Sequence, residues 1–386
     1  GVAGFTGGRL ASVKDLSGEE HRAYDARGNI LEIVKRIRDP LLGVLTSYQT
    51  GFAYDIMDRL VEVYYPDNDR CRYSYNVASF VESIDGGLGG SVILSNADYE
   101  PTEQFSHLTF GNAGSTTYTY DNHDRLESLR TASPLAGDLI NYAYLYDPVS
   151  NITRINDHRP FDGPHGIPAS SPRRNTQLFQ YDDLYRLTQV KYSPAGDGVP
   201  AHGQIDYVYD KIGNMLSQSS PSVGQPGFIP EPKVALGAMT IGGSDGAQNR
   251  GSRLPGQPPG PHALTATQAG GVYEYDDNGN MTHLEDATLT WDFKDRLVRF
   301  QKGNVDARYA YDYSNRRIAK LVTQDKHTDQ TLYVNQYFEY RPNRAPVKYV
   351  FNGATRVARV KGTLDPTRTR VQRFWLFEGW NLLTVA

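Results

Sequence analysis

The sequence predicts an all-β protein of tandem β-hairpins paired into a long antiparallel sheet. Three observations carry that prediction. Tyr occurs 27 times against 14 for Phe, and Tyr favours strands. Asp outnumbers Glu by 31 to 13; Asp favours turns where Glu favours helices. One short pattern recurs along most of the 386 residues.

That pattern starts with Tyr followed directly by Asp. Composition alone predicts about two such pairs. The chain has Tyr24-Asp25, Tyr54-Asp55, Tyr120-Asp121, Tyr146-Asp147, Tyr181-Asp182, Tyr209-Asp210, Tyr275-Asp276 and Tyr311-Asp312, and Trp291-Asp292 is a ninth with Trp for Tyr. The fifth position of each unit holds Gly28, Asp58, Asp124, Ser150, Tyr185, Gly213, Gly279, Asp295 and Asn315. Gly, Asp and Asn tolerate positive φ, so this slot suits a hairpin tip. Tyr185 is the misfit and is expected to mark an altered turn.

The sixth position is always Asn or Arg: Asn29, Arg59, Arg125, Asn151, Arg186, Asn214, Asn280, Arg296 and Arg316. In the Arg units, Asp55 is placed to meet Arg59 across the turn. An aliphatic residue or Met follows in eight of the nine units, opening the outgoing strand. Ahead of the Asp, aromatics alternate, as at Tyr118 and Tyr120, Tyr142, Tyr144 and Tyr146, and Tyr207 and Tyr209. Residues two apart share a strand face. Each unit therefore reads as a strand with an aromatic stripe, a turn and a second strand. The repeated carboxylates are expected to form turns rather than an active site.

These units resemble the Rhs/YD-repeat family, from about Tyr24 to about Lys361. Three stretches go beyond the generic repeat. One is Phe52 to Leu60 followed by Tyr64 to Asp67. Another is Leu108 to Asn112 with Tyr118 to Asp121. The third combines Gly260 to Thr265, Tyr273 to Met281, Leu289 to Asp292 and Asp295 to Leu297. Their order is similar to the late part of bacterial Rhs proteins and of the B and C components of insecticidal toxin complexes. The resemblance implies a curved sheet forming part of a spiral hollow shell around a C-terminal toxic segment. It also implies a secreted or cell-surface bacterial protein, with the encapsulated polypeptide or the rest of the shell as partner.

Apolar residues counted with Gly and without Tyr come to roughly 42% of the chain, slightly lean for one solid core of this length. A hollow shell would fit, with water against both faces of the strip and no thick core. Family shells often end in a core region with an Asp-Pro-x-Gly motif, where an internal aspartyl protease acts. Here Asp365-Pro366 is followed by Thr367-Arg368, so no catalytic residue is carried over and no enzyme is expected.

The whole chain reads as one continuous strip, and as a piece of something longer. Residues 217–262 carry no repeat, are rich in Gly and Pro, and are expected to form an insertion loop. Gly86 to Gly90 reads as a loop and lacks the phosphate-binding pattern. Net charge is -4, which argues against a nucleic-acid partner. No apolar run reaches membrane-span length. The lone Cys71 excludes an internal disulfide and a cysteine-rich zinc site.

No metal or cofactor is expected. Asp276, Asn278 and Asn280 imitate the start of a calcium loop, but Gly279 sits in the wrong slot and the twelfth position lacks Glu. His262 is read as structural. Asn151 and Asn280 open glycosylation sequons but already belong to the repeat. Residues 341–373 hold nine Lys or Arg and one acid, read as a solvated strand face. The leading function is a shell segment that encapsulates a toxin. The alternative is a cell-surface adhesion module that binds glycans.

Overall fold

The computed structural model describes residues 5–87, 91–163, 166–168, 176–192, 203–221, 235–242, 260 and 262–364. Among them are 29 β-strands and no helix. They form antiparallel sheets of 19 and 10 strands. Within a sheet the registers pair strands that are neighbours in sequence, as between Gly18 and Gly86.

The Tyr-Asp units lie at hairpin turns. Strands Gly18–Tyr24 and Ile30–Arg38 flank the first, and Leu45–Tyr54 and Leu60–Tyr64 the second. In the first turn the Gly28 amide donates to the Asp25 carbonyl at 3.2 Å, and the Asp25 amide to the Asn29 carbonyl at 3.0 Å. This is the three-residue loop whose last residue is left-handed. All nine fifth-slot residues have positive φ, from Gly28 to Asn315.

Tyr185 corrects one expectation. Its turn is not altered: φ is 59°, and its amide donates to the Asp182 carbonyl at 2.9 Å. The surrounding hairpin forces an aromatic residue into a region that costs L-residues roughly 1–2 kcal/mol.

The chain divides into two compact units. The terminal unit joins Gly1–Gly114 to Arg296–Ala386, and the central unit is Ser115–Asp295. In the terminal unit, strands between Ser12 and Phe110 face strands between Leu297 and Lys361. Ile37, Val63, Ile84 and Leu94 from the first set, and Leu332, Phe338, Val350 and Val360 from the second, are almost fully buried. Phe52 packs on Tyr337 with ring centres 5.6 Å apart, and Tyr48 on Tyr340 at 5.7 Å. The expectation that both faces of the strip meet water therefore fails here. The sparse apolar residues are concentrated on one face of each sheet, which makes a real core.

The central unit is thinner. Cross-strand rows such as Tyr118–Leu129–Tyr142, Tyr144–Ile155 and Phe179–Val190–Ile205 share a face. Most of these residues are only half-buried. Within the span 217–262, strand Gly237–Ile241 pairs with Ser217 and Gln218 on one side and with Thr267, Ala266 and Leu264 on the other. The span thus contributes a strand; its residues 222–234, 243–259 and 261 lie outside the described residues. So do Leu88 to Gly90 and the stretch from Asp365 to Ala386 that contains Pro366, Thr367 and Arg368.

Candidate functional site

The Asp of each unit ties its own turn. Asp55 Oδ1 accepts from the amides of Met57 and Arg59 at 2.9 and 3.0 Å, and Oδ2 accepts from Arg59 Nε at 2.7 Å. Asp121 and Asp182 repeat this with Arg125 and Arg186. In Asn units the amide side chain replaces the guanidinium, as Asn151 Nδ2 donates to Asp147 Oδ2 and Asn214 Nδ2 to Asp210 Oδ2, both at 2.8 Å. Asp25 and Asp276 follow the same pattern with Asn29 and Asn280. Asp292 accepts from the Lys294 amide at 2.9 Å. The Arg125 hydrogen bond is the main reason the Asp121 carboxyl is held down to about 2.

The Tyr of a unit reaches back to the hairpin before it. Tyr146 hydroxyl donates to the Leu126 carbonyl at 2.8 Å, Tyr181 to Ile152 at 2.8 Å and Tyr209 to Leu187 at 2.9 Å. Tyr275 and Tyr311 reach Leu264 and Leu297, and Tyr24 reaches Leu10. Trp291 keeps the contact through its indole N–H, 2.7 Å from the Met281 carbonyl. This explains why Trp can replace Tyr here: both place a donor at the end of a flat apolar ring. Tyr54 and Tyr120 close the incoming strands of their own turns.

The Arg reaches forward. Arg125 lies over the Tyr146 ring at 4.5 Å and donates to Ser150 Oγ at 3.0 Å. Arg186 lies over Tyr209 at 4.8 Å and donates to the Asp210 carbonyl at 2.7 Å. Arg296 does the same over Tyr311 at 5.0 Å, reaching the Asp312 carbonyl at 3.2 Å. Arg59 stacks on Tyr75 at 4.6 Å. Cation–π stacking and a second hydrogen bond thus link each of the Arg59, Arg125, Arg186 and Arg296 turns to the next. Gly279 takes the left-handed slot with φ of 87°.

Tyr75-Asn76 and Tyr99-Glu100 are degenerate units that the Asp-based pattern missed. Asn76 Oδ1 accepts from the amides of Ala78 and Phe80, both at 3.0 Å. Ser79 and Glu103 take the left-handed slot, and Tyr75 and Tyr99 reach back to Leu60 and Val81. Their sixth positions, Phe80 and Gln104, also depart from Asn or Arg, so finding them takes relaxing both positions.

Asp312 departs from the other repeat carboxylates. It is buried, and its Oδ2 lies 2.7 Å from Lys35 Nζ. Lys35 also pairs with Glu20 at 2.9 Å, its cross-strand neighbour. Burial pulls the Lys35 ammonium down, but the bonds from Asp312 and Glu20 outweigh it and leave it raised. Tyr313, next in the turn, donates its amide to Asp15 Oδ2 at 2.7 Å.

A second buried set lies farther along the terminal unit. Lys348 is 0% exposed and sits 2.5 Å from Asp67 Oδ2 and 2.7 Å from Asp69 Oδ2. Asp69 also accepts from Thr363 Oγ1 at 2.9 Å and the Leu364 amide at 2.6 Å. Burial raises the Asp67 carboxyl despite the nearby Lys348. Lys348 therefore leaves the basic face read from 341–373, while Arg356, Arg359 and Lys361 remain exposed. Arg368, Arg370 and Arg373 lie outside the described residues.

Among the described residues, no group of three or more His, Cys, Asp or Glu is placed to hold a metal ion. No helix among them is long and apolar enough to cross a membrane. His262 Nδ1 lies 2.7 Å from Asn214 Oδ1, in a contact with the sixth repeat turn. Cys71 is buried, and burial pushes its thiol up to about 12, so it is a poor nucleophile.

These features define an all-β protein of serially bonded hairpins, and solved structures of that class exist. The chain is similar to the structure of TcdB2-TccC3-Cdc42, with a TM-score of 0.66 and 17% identity over 89% of this chain. A TcdB2-TccC3 structure without its hypervariable C-terminal region gives 0.67 and 17% over 89%. A Photorhabdus luminescens Tc holotoxin pore carrying a TccC3 mutation gives 0.63 and 17% over 89%. This chain covers 18% of the first two structures' chains and 17% of the third. No family model matches the sequence, and no curated protein sequence does.

Proposed function

We propose that the chain is a wall segment of a toxin-complex-type shell of the Rhs/YD-repeat kind, which encloses a polypeptide cargo for delivery outside the cell that makes it. The observation that carries this reading is the likeness to TcdB2-TccC3 along 89% of the chain. The repeat residues then serve as scaffold: Asp fixes each turn, Tyr holds the preceding hairpin and Arg holds the next. No chemical step is assigned to them. The half-buried tyrosine rows of the central unit are the surface on which a cargo, or in an adhesion module a glycan ring, would rest.

Electron microscopy of the longest natural polypeptide carrying this strip tests the reading. A closed wall with polypeptide density inside is the expected result. An open, empty strip would overturn it and would turn the tyrosine rows into candidate glycan contacts.

A further inference from the structure

One end of the terminal unit presents aliphatic side chains on two adjoining turns. The first joins Ser12–Asp15 to Gly18–Tyr24, and the second joins Ile30–Arg38 to Leu45–Tyr54. Both lie at the strand ends away from the Tyr24-Asp25 and Tyr54-Asp55 turns. The Arg38 amide donates to the Ser17 carbonyl at 2.8 Å, which sets them side by side. Leu16 is 96% exposed and Leu42 74%, and Leu41, Val44 and Leu45 are also exposed. Isolated exposed leucines are ordinary, but five aliphatic residues on adjoining turns form a patch.

The turns are held rigidly. Asp39 Oδ1 accepts from the amides of Leu41 and Leu42 at 2.8 and 2.9 Å, and Oδ2 accepts from Gln330 at 3.1 Å. The Asp39 amide donates to the Val44 carbonyl, and the Gly43 amide to the Asp39 carbonyl, both at 2.8 Å. Asp15 Oδ1 accepts from the amides of Ser17 and Gly18, while Oδ2 takes the Tyr313 amide. The acids that build these turns are thus engaged in holding the backbone.

The bases face outward. Lys14 is mostly exposed and Arg36 half-exposed. Arg38 is exposed and donates from Nη1 to the Gly43 carbonyl at 3.0 Å, which fixes it beside the leucine turn. Glu19 is the acid facing them, 3.4 Å from both Lys14 and Arg36. The outward-facing charge at this end is therefore net positive on a chain of net charge -4. Rigid leucines ringed by bases match an anionic bilayer: aliphatic tips enter the headgroup layer and cations pair with lipid phosphates.

We propose that this end of the terminal unit docks on an anionic lipid surface, with Leu16, Leu41 and Leu42 entering the interface and Lys14, Arg36 and Arg38 holding phosphates. The test is flotation of the 386-residue chain with vesicles of phosphatidylcholine alone or mixed with phosphatidylglycerol. Binding is expected to the mixed vesicles and to weaken as salt rises. Leu42→Asp and Arg38→Glu are each expected to weaken it roughly tenfold. Leu135→Asp, at an exposed turn of the central unit, is expected to leave it unchanged. Circular dichroism checks that each variant is folded. Absence of binding to the mixed vesicles, or equal binding by Leu42→Asp, overturns the proposal. So does a dimer in solution that Leu42→Asp dissolves, which would assign the patch to a second copy.

Discussion

In the terminal unit, Tyr48, Phe52 and Tyr65 lie beneath a second sheet, against Tyr340, Tyr337 and the Tyr349 carbonyl in turn. In the central unit, Tyr118, Tyr144 and Phe179 occupy a strip face of the same kind and stay half-buried. Both units use the same hairpin, the same turn and the same backward Tyr bond. The difference shows that the strip does not depend on a thick core for its local order. Backbone ladders and turn-to-turn bonds hold each hairpin to the next. Where two distant stretches meet, apolar packing and buried charges are added.

The largest predicted effect lies on the covered side of that comparison. Lys348→Ala leaves Asp69 buried, and Asp67 half-buried, without their cation, which costs about 3–5 kcal/mol. Urea unfolding should show the terminal-unit transition shifted to much lower denaturant while the central unit keeps its own. A single shared transition that moves as a whole would break the division into two units.

Matched truncations sharpen the same contrast. Phe338→Ala empties a site that is only 2% exposed and is expected to cost about 3–5 kcal/mol. Phe179→Ala, on the half-buried face, is expected to cost about 1–2 kcal/mol because less area leaves the interior. Equal losses in equilibrium unfolding would mean that the central face is covered as fully as the terminal one.

Acid acts on the turns. A carboxylate whose pKa is lowered by folding stabilises fully above its ordinary pKa, and that stability is lost as pH falls through the folded value. For Asp121 the window runs from the ordinary value of 3.8 down to about 2. Asp25, Asp55, Asp147, Asp182 and Asp210 are lowered as well. Asp67 has the opposite sign: its raised pKa makes protonation favour the folded state as pH falls. Thermal melts are expected to drop between about pH 4 and about pH 2, with a smaller drop in Asp121→Asn. An identical pH dependence in the variant would show that this turn does not sense acid.

The smallest effect is a gain. Tyr185→Asn puts a residue that tolerates positive φ into the left-handed slot and is expected to stabilise the central unit by about 0.5–1 kcal/mol. A loss of stability would show that the Tyr185 ring contributes packing that outweighs its strain.

The nine turns were legible because their requirement is local. A left-handed slot selects Gly, Asp or Asn, and the preceding Asp supplies the acceptor that fixes the loop. Tyr185 misled because the hairpin around it overrides its preference. Tyr75-Asn76 and Tyr99-Glu100 were hidden by a pattern restricted to Asp, and to Asn or Arg at the sixth position, although Asn makes the same turn bonds. The strand Gly237–Ile241 gave no signal, since it lies in a Gly- and Pro-rich span and is short. Lys35–Asp312 and Lys348–Asp69 were illegible because each joins residues more than 270 positions apart. No spacing rule connects such partners; only the packing of one sheet on another brings them together.

The backward reach of tyrosines such as Tyr146, Tyr181 and Tyr209 also orders events during synthesis. Their acceptors are carbonyls already made, so a hairpin emerging from the ribosome finds its anchor waiting. Growth from the N-terminus can therefore fix one hairpin at a time with little search, because these contacts are close in sequence. Closure of the terminal unit is different. Lys35 must await Asp312, and Asp69 must await Lys348, while most of the chain is made in between. Until then the apolar face of residues 12–110 stands uncovered, which is the interval when a chaperone or a premature stop would matter most.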